Sequence, residues 1–93
     1  MTKEELQGKI SEAESRITAY NAFLEILTTK LEKVNAGQPV TFRPEAPINE
    51  ASTKEEKVTH LETSIKNHQD AITHEQQVIT DCTTELRKRD PGV

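Results

Sequence analysis

The segment LQGKISEAESRITAYNAFLEILTTKLEKV, residues 6–34, decides the fold. Its apolar residues fall at Leu6, Ile10, Ala13, Ile17, Tyr20, Leu24, Leu27, Leu31 and Val34, in unbroken alternating steps of four and three. A mean spacing of about 3.5 residues keeps one stripe of a helix facing a partner along its whole length, the pattern of a coiled-coil seam. A lone helix would leave that stripe in water, so a second helix is required.

The second half of the chain supplies one. Val58, Leu61, Ile65, His68, Ile72, Glu75, Ile79, Cys82 and Leu86 repeat the steps of three and four, with polar residues only at His68 and Glu75. Each run begins with a helix-start signal. Thr2-Lys3-Glu4-Glu5 reads as a capping box, and Ser52-Thr53-Lys54-Glu55 reads as a second. Gly37 followed by Pro39 ends the first helix, and Asp90-Pro91-Gly92 ends the second. The expected organisation is a single helical-hairpin domain over 1–93, with a helix at about 3–36, an extended linker at 37–51 and a second helix at about 53–89.

Direction follows from length and charge. Antiparallel folding sets Leu6 near Leu86, Tyr20 near Ile72 and Val34 near Val58, and it places Glu4 and Glu5 beside Arg87 and Arg89. Lys30 and Lys33 then come beside Glu55 and Glu56 at the other end. A parallel pair needs the linker to retrace roughly 50 Å of helix at about 1.5 Å per residue, close to its limit of extension. The fold class is therefore all-α, an antiparallel two-helix coiled-coil hairpin with a long Pro-containing connecting loop.

Composition sets bounds on function. At 93 residues and 32% apolar, with 3% aromatic, the chain cannot fill a globular core, whereas a coiled coil needs only its seam positions filled. The net charge of −4 comes from interspersed acids and bases. Only Arg87-Lys88-Arg89 is a basic cluster, and cations in a helix's last turn offset its dipole, so nucleic acid is not an expected partner. An acidic nucleic-acid mimic is the weakest of the readings considered. The one cysteine makes no internal disulfide, no run approaches a membrane span, and the start at Met1 lacks a secretion signal. Cytoplasmic residence without membrane contact is the expectation.

No chemistry-bearing motif emerges. His60, His68 and His74 lack the spacing that sets two imidazoles on one metal, and His68 and Glu75 lie about 10.5 Å apart along a helix, too far for a dyad. Cys82 occupies a seam position as a small apolar residue. No enzymatic activity, cofactor or metal is expected.

The surplus apolar surface points to protein partners. Phe23, Ile26, Ala71 and Val78 flank the seams, wider than a two-stranded coil needs, which suits self-association into a four-helix bundle as a homodimer. The linker is longer than the usual 2–8-residue connection, a range typical of helical bundles. It carries Pro39, Pro44 and Pro47 with Val40, Phe42 and Ile48 to bury, and Phe42 reaches far enough back to lie over Phe23 and Ile26. The expected role is a small adaptor or inhibitor binding a larger protein of unknown identity. Its contact residues are expected to be Phe23, Ile26, Val40, Phe42, Arg43, Ile48, His68 and Glu75. A self-assembling structural, scaffold or assembly-chaperone protein is the alternative.

Overall fold

A computed structural model describes residues 1–89, so the expected stop at Asp90-Pro91-Gly92 lies outside the described residues. Two helices, α1 (Lys3–Asn35) and α2 (Lys54–Arg89), pack against each other, and no strand occurs among the described residues. Their direction is read from side-chain neighbours. Arg16 meets Glu75, Tyr20 and Phe23 meet His68, and the Asn35 carbonyl accepts from Lys54 Nζ, so positions fall along α2 as they rise along α1. The pair is antiparallel. It forms a slab of 60 × 21 × 15 Å, which is one helix thick.

The ends of α1 follow from local chemistry. The Thr2 hydroxyl accepts from the Glu5 amide at 3.1 Å and caps the N-terminus, with Glu4 and Glu5 placed favourably at the positive end of the dipole. At the other end, Gln38 N–H donates to the Lys33 carbonyl at 2.8 Å and Gly37 N–H to the Val34 carbonyl at 3.1 Å. This doubly bonded Schellman ending requires a left-handed residue, and Gly37 takes that position at φ 75°.

The entry to α2 differs from the sequence reading by one residue. Thr53, not Ser52, is the cap, its hydroxyl accepting from the Glu56 amide at 3.1 Å. The Ser52 hydroxyl instead accepts from Asn49 N–H at 3.0 Å, while Ala51 N–H donates to Asn49 Oδ1 at 2.8 Å. A turn centred on Asn49 thus claims the serine, and Thr53-Lys54-Glu55-Glu56 repeats the chemistry of Thr2-Lys3-Glu4-Glu5. Thr53→Ala is accordingly expected to lower stability by about 1 kcal/mol and fray the first turn of α2. Ser52→Ala leaves that turn protected; amide hydrogen exchange at Lys57, whose N–H bonds the Thr53 carbonyl, distinguishes the two.

Burial is sparse and uneven. Ala13 and Leu6 are enclosed toward the termini, opposite Cys82 and Glu75 on α2, while Leu61 and Val34 are enclosed toward the connection. There the linker adds itself to the seam. Val40, 5% exposed, joins Val34 and Leu61 in one cluster, against which Leu27, Leu31, Phe42 and Val58 pack. The best-packed region is therefore a three-way contact of α1, α2 and linker.

Among the described residues the expected end pairings do not form ion pairs. Lys30 Nζ lies 5.9 Å from the centroid of the Phe42 ring, and Arg89 pairs with Glu85 of its own helix at 3.8 Å. Among the described residues no ion pair joins Glu4 or Glu5 to Arg87 or Arg89.

Candidate functional site

The two broad faces of the slab differ, and heptad position explains why. Beyond the α1 seam on one side lie Thr18, Asn21, Glu25, Thr28 and Glu32, and beyond the α2 seam on that side lie Glu62, Gln69, Thr73, Gln76 and Thr80, all exposed. Neither helix presents a large apolar side chain there. Thr18, Thr73 and Thr80 return their hydroxyls to the carbonyls four residues back, as threonines on a solvated helix face do.

The opposite side carries Arg16, Ala19, Phe23, Ile26, Lys30 and Lys33 on α1, with His60, Ser64, Ala71, His74 and Val78 on α2. Phe23 is 42% exposed and Ile26 51%. Between the helices on this face runs an open groove of about 570 Å³, with Phe23, Ile26 and Lys30 on one wall and His60, Ser64 and His68 on the other. Phe42, Arg43 and Ala46 of the linker close its end nearest the connection.

Each wall is held by identifiable contacts. His68 occupies a seam position, and its Nδ1 lies 2.7 Å from the Ser64 carbonyl oxygen. A carbonyl only accepts, so the neutral ring carries its proton on Nδ1. That bond fixes the imidazole, which meets Tyr20 edge-on at 5.9 Å and Phe23 at 5.6 Å between centroids. His68 thereby props Phe23 at the mouth of the groove. At the other end, Phe42 stands edge-on to His60 at 6.4 Å. It lines the groove together with Phe23 and Ile26 and leaves them 42% and 51% exposed, while Val40, two residues earlier, is buried on Val34 and Leu61.

Of the eight expected contact residues, Phe23, Ile26, Phe42, Arg43 and His68 come together around this groove. Val40 and Ile48, 5% and 7% exposed, are turned into the hairpin's own packing. Glu75 is also enclosed, at 8%, and its Oε1 pairs with Arg16 Nε at 3.0 Å across the helices. Glu75 Oε2 is buried without a hydrogen-bond partner. Arg16 also lies 4.0 Å from Glu12 of its own helix, and the buried Glu75 carboxylate holds the guanidinium more closely. Sequence reasoning missed His60, whose signal was available: it stands one turn before Ser64, on the groove side of the α2 seam.

Among the described residues no three His, Cys, Asp or Glu side chains gather as metal ligands, and no helix is long and apolar enough to cross a membrane. The site offers shape, aromatic edges and a few charges for recognition. No family profile, curated protein or solved structure shows significant similarity to this chain.

Proposed function

We propose that the chain is a non-enzymatic protein–protein interaction module, an adaptor or inhibitor that acts through the groove-bearing face of its hairpin. The observation carrying this reading is the contrast between the two faces. Phe23 and Ile26 stand 42% and 51% exposed beside the groove, whereas the other face has only polar and charged side chains beyond its seams. Contiguous exposed apolar surface rimmed by polar residues marks an interaction site. An apolar groove between helices takes the ridge of another helix by the same packing rules that join α1 to α2.

A second reading, self-assembly as a scaffold or assembly chaperone through a four-helix bundle, is favoured by the 15 Å thickness of the slab. Domains normally bury their apolar faces between at least two layers, and this hairpin has one.

The test is affinity capture from host lysate with two matched variants, each checked for retained helicity by circular dichroism. Phe23→Asp is expected to lose the proteins specifically held by the wild type, by roughly tenfold or more. Thr28→Asp on the polar face is expected to keep them. Equal recovery by all three chains would refute the assignment of the recognition surface.

A further inference from the structure

We infer that the occupant of the groove-bearing face is a second copy of this chain, laid antiparallel so that the connection of one hairpin covers the termini of the other. This rests on the second reading above, self-assembly through that face, and fixes how the two copies lie. Three features of the face carry it: its area, its size pattern and its charge.

An interface of ordinary size buries ~800 Å² per partner, and a face of 60 × 21 Å supplies this with roughly a third to spare. The groove alone is short. His60 to His68 spans only about 12 Å at the helical rise, too little for a stable peptide-in-groove contact, so an occupant must extend over the whole face. Another hairpin has that length.

The side chains on the face are arranged about its middle. Ala19 and Ala71 stand near the midpoints of α1 and α2, where small residues permit close approach. Phe23 and Ile26 lie toward the connection from that centre, and Val78 lies toward the termini, about 10 Å off. A two-fold axis crossing the middle, perpendicular to the helices and in the plane between the slabs, carries Val78 of each copy over the groove between Phe23, Ile26 and Ser64 of the other. Val78 enters the groove as a knob between facing walls.

Charge selects the orientation. Lys33 and Lys57 stand level with one another near the connection, and Glu5 and Glu85 stand level near the termini. In the antiparallel dimer Lys33 of one copy meets Glu5 of the other, and Lys57 meets Glu85. Laid the other way, connection over connection, the same residues set Lys33 against Lys57 and Glu5 against Glu85. Lys30 falls against Lys9 in the antiparallel arrangement, flanked by Glu5 and Glu12, and Lys57 comes within a turn of Lys88, which stands beside Glu85, so both like-charged approaches are screened by neighbouring acids. Glu85 is half-exposed and, among the described residues, pairs at 3.8 Å with Arg89 of its own helix, and Lys57 Nζ donates to the Glu50 carbonyl at 2.8 Å, so both have capacity for a further partner.

Sedimentation equilibrium of the full chain at low and moderate ionic strength tests this, with circular dichroism on the same samples. The wild type is expected to dimerise in the micromolar range, and Phe23→Asp to sediment as a helical monomer. Lys33→Glu sets an acid against Glu5 and is expected to weaken the dimer on the order of tenfold, with Glu5→Lys added to the same chain restoring it. If Lys33→Glu tightens the dimer instead, the hairpins lie connection over connection and the proposed orientation is overturned. A wild type that is a helical monomer at high micromolar concentration overturns the second copy as occupant. Where that monomer still loses its captured proteins on Phe23→Asp, the face remains a recognition surface for a partner of different sequence. The two readings therefore fail separately.

Discussion

Leu61→Ala is expected to lower the unfolding free energy by about 3 kcal/mol, the largest loss from any single truncation in the chain. Leu61 is 1% exposed and is the largest fully enclosed side chain. It sits where three segments converge, against Val34 of α1 and Val40 of the linker. Removing its branch leaves a void that none of the three can collapse into without separating from the other two. The size of the effect matters because domains of ordinary stability hold only about 5–15 kcal/mol in total, and a small thin core lies toward the bottom of that range. Chemical denaturation followed by circular dichroism measures it. Thr29→Ala, at an exposed outer position of α1, provides the contrast and is expected within about 0.5 kcal/mol of the wild type. Equal stabilities for the two variants would mean that the linker cluster does not hold the hairpin together.

Glu75→Leu is expected to act in the opposite direction, raising stability by about 1–3 kcal/mol. A carboxylate at a seam position gives up its hydration on folding. Here the return is one ion pair with Arg16 at 3.0 Å, while Oε2 stays buried without a partner. Leucine fills the same space and leaves no polar atom to satisfy. Arg16→Ala should instead cost about 2 kcal/mol, because it strands the carboxylate in the seam. The double variant is the informative one. With Glu75 already replaced, Arg16 has lost its interhelical partner, so Arg16→Ala added to Glu75→Leu is expected to cost less than about 0.5 kcal/mol. Thermal unfolding reads all three, since 1 kcal/mol moves the midpoint of a domain this size by roughly 4–8 °C. A Glu75→Leu chain less stable than the wild type would show that the pair repays its own desolvation.

These two positions also mark how far the sequence could be read. The packing of two helices was legible because a heptad repeat is a constraint on every third or fourth residue, and nine seam positions on α1 agree without exception. The capping chemistry at Thr2 was legible because it is local, involving groups three residues apart. Competition was harder to see. Ser52 and Thr53 both have the chemistry of a cap, and only the turn at Asn49 decides which of them is free to serve.

The same limit applies to the site. The surplus apolar residues Phe23 and Ile26 were visible by their offset from the seam, and they do stand exposed. Extension sets how far Phe42 can travel, and it does reach the groove lined by Phe23 and Ile26, but how much of them it covers depends on packing that the sequence does not show. The i, i+4 rule pairs Arg16 with Glu12, a contact present at 4.0 Å, but it counts only neighbours on one helix and so leaves out Glu75. A cation beside the seam has a second option when its partner helix places a carboxylate within it. That option prevails here because Glu75 is largely enclosed in the seam, where an ion pair is screened less than at the exposed Glu12.

The account depends on two antiparallel helices within one chain, held in a register that sets Tyr20 and Phe23 beside His68. Nuclear Overhauser contacts between the His68 ring protons and the rings of Tyr20 and Phe23 report this most directly. The mixture to use combines isotopically labelled with unlabelled chains, so that contacts within a chain are separated from those between chains. Intrachain cross-peaks from His68 to both rings are the predicted result. Their absence from a helical sample, or their appearance only between chains, would contradict the hairpin and with it the groove.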